Sequence, residues 1–310
     1  TSTSSCSSDV IRLSTQPIEG SHIQDGRFPV LRIAVPNKGA LSEPARRMLN
    51  EAGYLRNSRG NELVVADPDN DAEFFFLRPR DIAVYVGAGQ LDLGITGRDM
   101  LLDSKASAAE VLPLGFGGST FRLAAPAGTA STIADLAGLR IATSYPGILQ
   151  GDLDRAGISA SIVKLDGAVE NAVALGVADA VADVVDTGTT LRKAGLVVVG
   201  EPLLHSEGML VRPEASDPSP AAATFIRRIE GVIAARSYVM VDYDIRSEQL
   251  DAAAAITPGL ESPTVSPLRD EGWVAVRAMV SRAEVHAVMD SLYELGGRGI
   301  LVTDILACRL

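Results

Sequence analysis

From Val30 onward the apolar residues fall in short runs broken by glycine and proline. VLRIAV (30–35) predicts a buried strand, and Pro36-Asn37-Lys38-Gly39 predicts the turn that ends it. A helix is predicted from about Ser42, with Pro44 in its first turn and Gly53 as its stop. FFFLR (74–78) predicts a strand, 79–88 a helix closed by Gly87 and Gly89, and LDLGIT (91–96) a strand running into Gly97-Arg98-Asp99. Beyond the glycine-rich turn 115–119, strands are predicted at 139–143, 160–165 and 179–185. Helices are predicted at 147–156 and 168–175, with a further one after Thr190. Such alternation implies α/β layers around a mostly parallel sheet. The blocks 30–115 and 120–200 resemble each other, which implies two lobes with a ligand cleft at the strand C-terminal ends.

The Pro-, Ser- and Ala-rich stretch PEASDPSPAA after Arg212 marks the best internal boundary. A long helix (220–236) follows it. Then come strand 237–243, helix 247–255, strands 263–268 and 273–280, helix 282–295 and strand 299–307. That βαββαβ order is ferredoxin-like. The expected organisation is a first lobe (30–120 plus 200–212), a second lobe (121–199) and a C-terminal domain (213–310). Residues 1–29 read as a flexible extension, because seven of the first eight are Ser or Thr and no apolar periodicity follows.

With 28 Lys plus Arg against 39 Asp plus Glu, the formal charge is −11, which argues against a general nucleic-acid binder. Phosphate ligands remain compatible, because a local cluster and backbone amides can hold them. Cys6 and Cys308 cannot build a disulfide framework, so a reducing cytoplasm is expected. His22, His205 and His286 lack metal-ligand spacing. No apolar run nears the ~20 residues of a membrane span, and the N-terminus lacks a basic-then-apolar leader.

The sharpest candidate is Asp183-Val184-Val185-Asp186-Thr187-Gly188-Thr189-Thr190, where a strand gives way to a helix. Amides and hydroxyls there can donate to a phosphate, Gly188 permits close approach, and Asp183 and Asp186 can accept from sugar hydroxyls. The same residues also suit an ordinary capped helix start. Asp186 favours ribose but is a poor neighbour for phosphate unless it points away.

This stretch, with Glu170 and GVADAVADV (176–184) before it, resembles the signature of the ATP phosphoribosyltransferase family. The resemblance extends through LRIAVPNKGALSEPA, EFFFLRPRDIAVYV, LDLGITGRD, LRIATSYP and AITPGLESPT, from Leu31 to Leu310. It includes the tail, as in the long, self-regulating form. The resemblance implies a periplasmic-binding-protein-like catalytic part and a ferredoxin-like regulatory domain. The implied reaction is attack of ATP N1 on C1 of 5-phosphoribosyl 1-pyrophosphate (PRPP), the first step of histidine biosynthesis. It also implies Mg²⁺, held mainly through PRPP oxygens and water, and dimers assembling to hexamers, with AMP as a further ligand.

By the same resemblance the 186–190 loop takes the 5′-phosphate and Asp183 the ribose hydroxyls. Lys38, Arg78 and Arg98, at the ends of three strands, are the candidate cations for pyrophosphate and ATP phosphates. Each also reads as an ordinary surface charge. Arg80, Gly167, Val169 and Glu170 are candidate ATP contacts, with Glu170 expected to tune a helix start. Asp92 and Asp99 are expected to cap helices rather than bind metal, and His205 and His286 to be structural. In the tail, Asp244, Leu260, Ser262, Thr264 and Gly299 are the implied feedback site for L-histidine, whose ammonium needs a carboxylate and whose carboxylate needs amides or hydroxyls. A two-lobed solute- or effector-binding protein is the alternative of a different class.

Overall fold

In the computed structural model, residues 30–55, 62–185 and 188–309 are described. The expected extension 1–29, and Asp186 and Thr187 of the candidate loop, lie outside them. In chain order the elements begin with β1 (Leu31–Pro36), α1 (Ser42–Glu51), β2 (Val64–Asp67), β3 (Ala72–Leu77), α2 (Pro79–Gly87), β4 (Leu93–Gly97), α3 (Arg98–Ser104) and β5 (Ala108–Pro113). They continue with β6 (Ser119–Pro126), β7 (Arg140–Thr143), α4 (Pro146–Ala156), β8 (Ser161–Lys164), β9 (Ala180–Val185), α5 (Thr189–Lys193) and β10 (Leu196–Ser206). Next are β11 (Gly208–Pro213) and α6 (Pro220–Ser237). The last group is β12 (Tyr238–Arg246), α7 (Leu250–Ile256), β13 (Thr264–Pro267), β14 (Trp273–Ser281), α8 (Val285–Glu294) and β15 (Arg298–Asp304).

These strands form three sheets, in the orders β2-β3-β1-β4-β11-β5, β10-β6-β9-β7-β8 and β13-β14-β12-β15. The apolar run at 31–36 lies inside the first sheet, parallel to β3 and β4, and Ile33, Ala34 and Val35 are fully buried. Two sheets joined by two extended crossings make the expected two-lobed, periplasmic-binding-protein-like body. The expectation of mostly parallel sheets needs correction, because only β3-β1-β4 and β8-β7-β9 are parallel. β2, β6, β10, β11 and β5 pair antiparallel. Neither β5 to β6 nor β10 to β11 carries a crossover helix of the kind that parallel neighbours need.

Two expected boundaries also move. β10 pairs with β6 through Ser206, so residues 200–206 belong to the second lobe, and only β11 returns to the first. Helix α6 is not part of the C-terminal module. Its Ala222, Phe225, Ile229 and Val232 share one core with Met48, Leu49, Tyr54 and Phe74 of the first lobe. The helix expected at 168–175 is a single 3-10 turn, Val169–Asn171, followed by turns. Ala168 before it has a left-handed φ of 49°, uncommon for a residue other than glycine.

The third sheet has the ferredoxin-like order expected of βαββαβ. Alternation along β12 sends Val239, Val241, Tyr243 and Ile245 into the core with Ala253 and Leu292. The same period of two puts Asp242 and Asp244 on the opposite face.

Candidate functional site

The two crossings between lobes run side by side. Leu114 N–H donates to Gly208 O at 2.9 Å and Gly208 N–H to Phe116 O at 2.8 Å. A Cβ on Gly208 would stand 2.8 Å from the Phe116 ring, so any side chain there would displace that ring. The turn 115–119 therefore serves as the interlobe crossing, and it also lines a cavity with His205 and Glu207.

Beside this hinge the N-terminal end of α4, in the second lobe, meets α3 of the first. Asp103 accepts from the N–H groups of Gly147 (2.7 Å) and Ile148 (3.2 Å) and from Arg80 (2.8 Å). A Cβ on Gly147 would be 2.3 Å from the Asp103 carbonyl oxygen. Arg80 lies 4.7 Å from the Tyr145 ring centroid, and Tyr145 packs edge-on against Phe121 at 5.6 Å. Burial, and then the nearby Asp99 carboxylate, push the Tyr145 phenol far above its ordinary range. Asp99 is buried and accepts from Ser206 Oγ at 2.8 Å. It thus ties α3 to the end of β10, where a cap alone was expected. Asp92 does not cap a helix as expected; it accepts from Arg32 N–H of β1 at 2.8 Å, just before β4 begins.

At the C-terminal end of β9, Asp183, Glu170, Gly188, Thr189 and Thr190 line a pocket of about 340 Å³. The expected residues that lie within the described chain are thus brought together, and Glu170 joins them. Burial raises the Asp183 carboxyl to about 6, against the pull of the Val184 N–H it accepts. Glu170 raises it further, Arg80 lowers it and Asp99 raises it, so Asp183 feels charges from both lobes. Helix α5 is only five residues long, so its dipole contributes little and the donors are local amides and hydroxyls. Gly188 has φ +69°, which an L side chain rarely adopts.

The first-lobe cations separate into two groups. Lys38 and Arg78 are exposed on neighbouring loops at the ends of the parallel pair β1 and β3, where Asn37 N–H donates to Leu77 O at 2.8 Å. Arg98, expected beside them as a substrate cation, is instead bound to Glu110 at 3.0 Å and Glu207 at 3.6 Å. The Glu110 hydrogen bond raises its guanidinium above the ordinary value. Val169 is 1% exposed within the second-lobe core, so its side chain packs rather than binds. Gly167 is exposed with open space around it. His205 and His286 are exposed, and Arg98 also reaches the His205 carbonyl at 3.5 Å.

In the C-terminal module Asp244 lines a cavity of about 420 Å³ with Leu268, Arg269, Asp270, Trp273 and Arg298. A Cβ on Gly299 would be 3.7 Å from Asp244 Oδ2, so Gly299 adjoins it. Leu260, Ser262 and Thr264 do not line that cavity. Thr264 stands opposite Arg277 and Asp244 opposite Ala275 on β14, two positions away along the strand. The sequence reading missed Trp273 and Arg298; a lone tryptophan one strand from an open-face carboxylate was the available signal.

A family model described as ATP phosphoribosyltransferase matches residues 78–231, and one described as HisG, C-terminal domain, matches 235–307. The second match begins where α6 ends, in line with the packing of that helix on the first lobe. Proteins named ATP phosphoribosyltransferase from Arthrobacter sp. and Streptomyces avermitilis are each 59% identical, over 91% of this chain and 100% of theirs. Among solved structures, a chain of the ATP phosphoribosyl transferase (HisG:HisZ) complex from Thermotoga maritima superposes with a TM-score of 0.58 and 27% identity, covering 66% of this chain and 98% of that one. Signature, site and relatives agree, and the chain belongs to the ATP phosphoribosyltransferase family.

Proposed function

We propose that this chain carries its family's activity, transfer of the phosphoribosyl group of PRPP to N1 of ATP with release of pyrophosphate, the first step of histidine biosynthesis. The observation that carries the reading is the pocket in which Asp183 and Glu170 face Gly188, Thr189 and Thr190. Carboxylates accept from ribose hydroxyls, while hydroxyls and amides donate to a phosphate. A two-lobed solute-binding protein is not favoured, since relatives at 59% identity carry the transferase name.

Displacement at C1 asks for alignment of two reactants and for charge stabilisation on the leaving group. Asp183 and Glu170 orient the ribose from the second lobe. Arg80, which reaches Asp183 electrostatically, with Lys38 and Arg78 on the same lobe, faces the anionic oxygens of pyrophosphate and ATP. The Asp103 tie holds the lobes in register while they do so. Among the described residues no cluster of three or more His, Cys, Asp or Glu is placed to hold a metal. Two pocket carboxylates nevertheless suit Mg²⁺, which commonly takes one or two carboxylates plus substrate phosphates. Of the two, Glu170 would contribute to such an ion, because Asp183 is taken by the ribose hydroxyls. Bound there with PRPP, it would supply charge neutralisation on the departing pyrophosphate.

The Asp244 cavity is the proposed L-histidine site. Asp244 and Asp270 suit an ammonium, and Arg269 and Arg298 a carboxylate. Inhibition by a ligand there, AMP as a further ligand, assembly of dimers into hexamers and a cytoplasmic location belong to the same proposal. No helix among the described residues is long and apolar enough to cross a membrane. The test is to mix protein with ATP, PRPP and Mg²⁺ and record phosphoribosyl-ATP absorbance. The reading requires PRPP-dependent growth of that signal, and a flat trace with both substrates present contradicts it.

A further inference from the structure

We propose that Arg282 is the joint through which the C-terminal module acts on the first lobe. An effector in the Asp244 cavity changes turnover through this side chain. The inference rests on reading that cavity as the L-histidine site, and it adds the route by which occupancy leaves the module.

The module and the lobe have separate cores. Val239, Val241 and Tyr243 pack within one, while Phe225, Ile229 and Val232 of α6 pack with the first lobe in the other. No linker separates them, because β12 starts at Tyr238 directly after α6 ends at Ser237. A helix end leaves backbone carbonyls without partners. Here the chain passes straight into a strand, and donors come from Arg282 in the turn after β14. Its backbone N–H donates to Ser237 O at 2.9 Å, its Nε to Arg236 O at 3.0 Å and its Nη2 to Tyr238 O at 3.5 Å. Its Nη1 donates to Asp304 at 2.9 Å. Arg236 in turn donates to Glu51, the last residue of α1, at 2.8 Å. One arginine therefore binds the end of α6, the start of β12 and the end of β15, one step from a first-lobe helix.

Three strands connect this joint to the cavity. β12 carries Tyr238 at its first position and Asp244 near its last. β14 starts at Trp273 and ends at Ser281, which stands opposite Tyr238. β15 starts at Arg298 and ends at Asp304, opposite Val239. Asp244, Trp273 and Arg298 all line the cavity, so each strand has a cavity residue towards one end and a joint residue at the other. From Arg298 to Asp304 is about 20 Å. Hydrogen-bonded strands move together. A shift that a ligand imposes on the three cavity residues thus reaches the joint as a tilt of β12 and β15 against α6. Arg282 holds those strand ends to α6 and converts the tilt into a pull on Arg236 and Glu51. Glu51 closes α1, and the opposite end of that helix follows the Lys38 turn.

Three readouts on the full chain test this. Calorimetry measures L-histidine binding, Trp273 emission reports whether it occurs in the cavity, and turnover at substrate levels near KM reports coupling. Arg282→Gln is expected to keep the calorimetric Kd within about 2-fold, since Arg282 does not line the cavity. Turnover without L-histidine should be little changed. The fold-inhibition at saturating L-histidine should drop by about 5-fold or more, the lower range of a coupling factor. Asp304→Asn, at an exposed position, detaches Arg282 from β15 and should act in the same direction. Arg277→Gln breaks an exposed pair with Asp242 on the open face and should retain full inhibition; an equal loss there overturns the proposal. Full inhibition in Arg282→Gln also overturns it, and passes the coupling to the chain end that crosses α6, where a Cβ on Gly231 would overlap the Cys308 carbonyl oxygen. So does a Kd weakened in proportion to the lost inhibition, because Arg282 would then act on binding. Should Arg282→Gln fold poorly, full inhibition in Asp304→Asn overturns it alone. Wild-type Trp273 emission that stays flat while calorimetry shows binding means that the cavity is not the L-histidine site, and the joint falls with it.

Discussion

The Asp103 carboxylate, on the last turn of α3, accepts the backbone N–H of Gly147 at 2.7 Å across the boundary between the lobes. Asp103 is 8% exposed at the side chain and also holds Arg80, so one carboxylate joins a first-lobe cation to a second-lobe helix. The lobes are thereby fixed on the side where the substrates' anionic groups are expected.

Removing that carboxylate has two consequences. Asp103→Ala leaves the Gly147 and Ile148 donors and the Arg80 charge without their partner, at a cost of about 2 kcal/mol in unfolding free energy. The KM for PRPP should rise as well, because Arg80 is no longer held beside Tyr145. Gly147→Ala should be at least as destabilising, since its Cβ would meet a backbone oxygen rather than a movable side chain. Urea unfolding of both variants checks this, and wild-type midpoints would contradict it.

Asp183 gives a pH signature. Its carboxyl is raised to about 6, and accepting from ribose hydroxyls requires the ionised form. PRPP affinity is therefore expected to rise as pH increases through about 6 and then level off. Asp183→Asn should flatten that limb and weaken PRPP by about 10-fold. The sign for stability is the reverse. The folded value lies above the ordinary carboxyl value of 3.8, so the fold holds this proton longer than the unfolded chain does. Between those values this group's contribution favours folding as pH falls. PRPP titrations at several pH values in wild type and variant measure the first effect.

The C-terminal cavity has a built-in reporter. The chain contains one tryptophan, and Trp273 lines the cavity with Asp244, stacked 4.5 Å from Arg246. L-Histidine should change its emission and inhibit turnover over the same concentration range. Asp244→Ala should abolish both while leaving turnover without histidine nearly unchanged, as two separate sites require. Fluorescence and activity titrations run side by side check it.

Much of this was legible in the chain. The apolar runs at 31–36, 74–77 and 180–185 became strands, and the signature around Asp183 became a pocket that drew in Glu170. What escaped depends on contacts distant in sequence. Arg98 resembles a substrate cation until Glu110 and Glu207 are folded beside it. α6 looks like the start of a new module until Phe225 is seen against Tyr54, 5.0 Å between ring centroids. Val169 lies in a glycine-flanked segment, yet it is buried because Ala172, Val181 and Leu191 close over it.

The central claim is that the Asp183–Thr190 pocket holds PRPP. Its most direct test is the KM for PRPP, followed by phosphoribosyl-ATP absorbance, in the double variant Gly188→Ala, Thr190→Val. Alanine at 188 forces a side chain onto a left-handed backbone, and valine at 190 removes a donor without changing shape. The account predicts a PRPP KM raised by about 10-fold or more, with the ATP KM and the thermal midpoint little altered. A PRPP KM equal to wild type in that folded variant would contradict it.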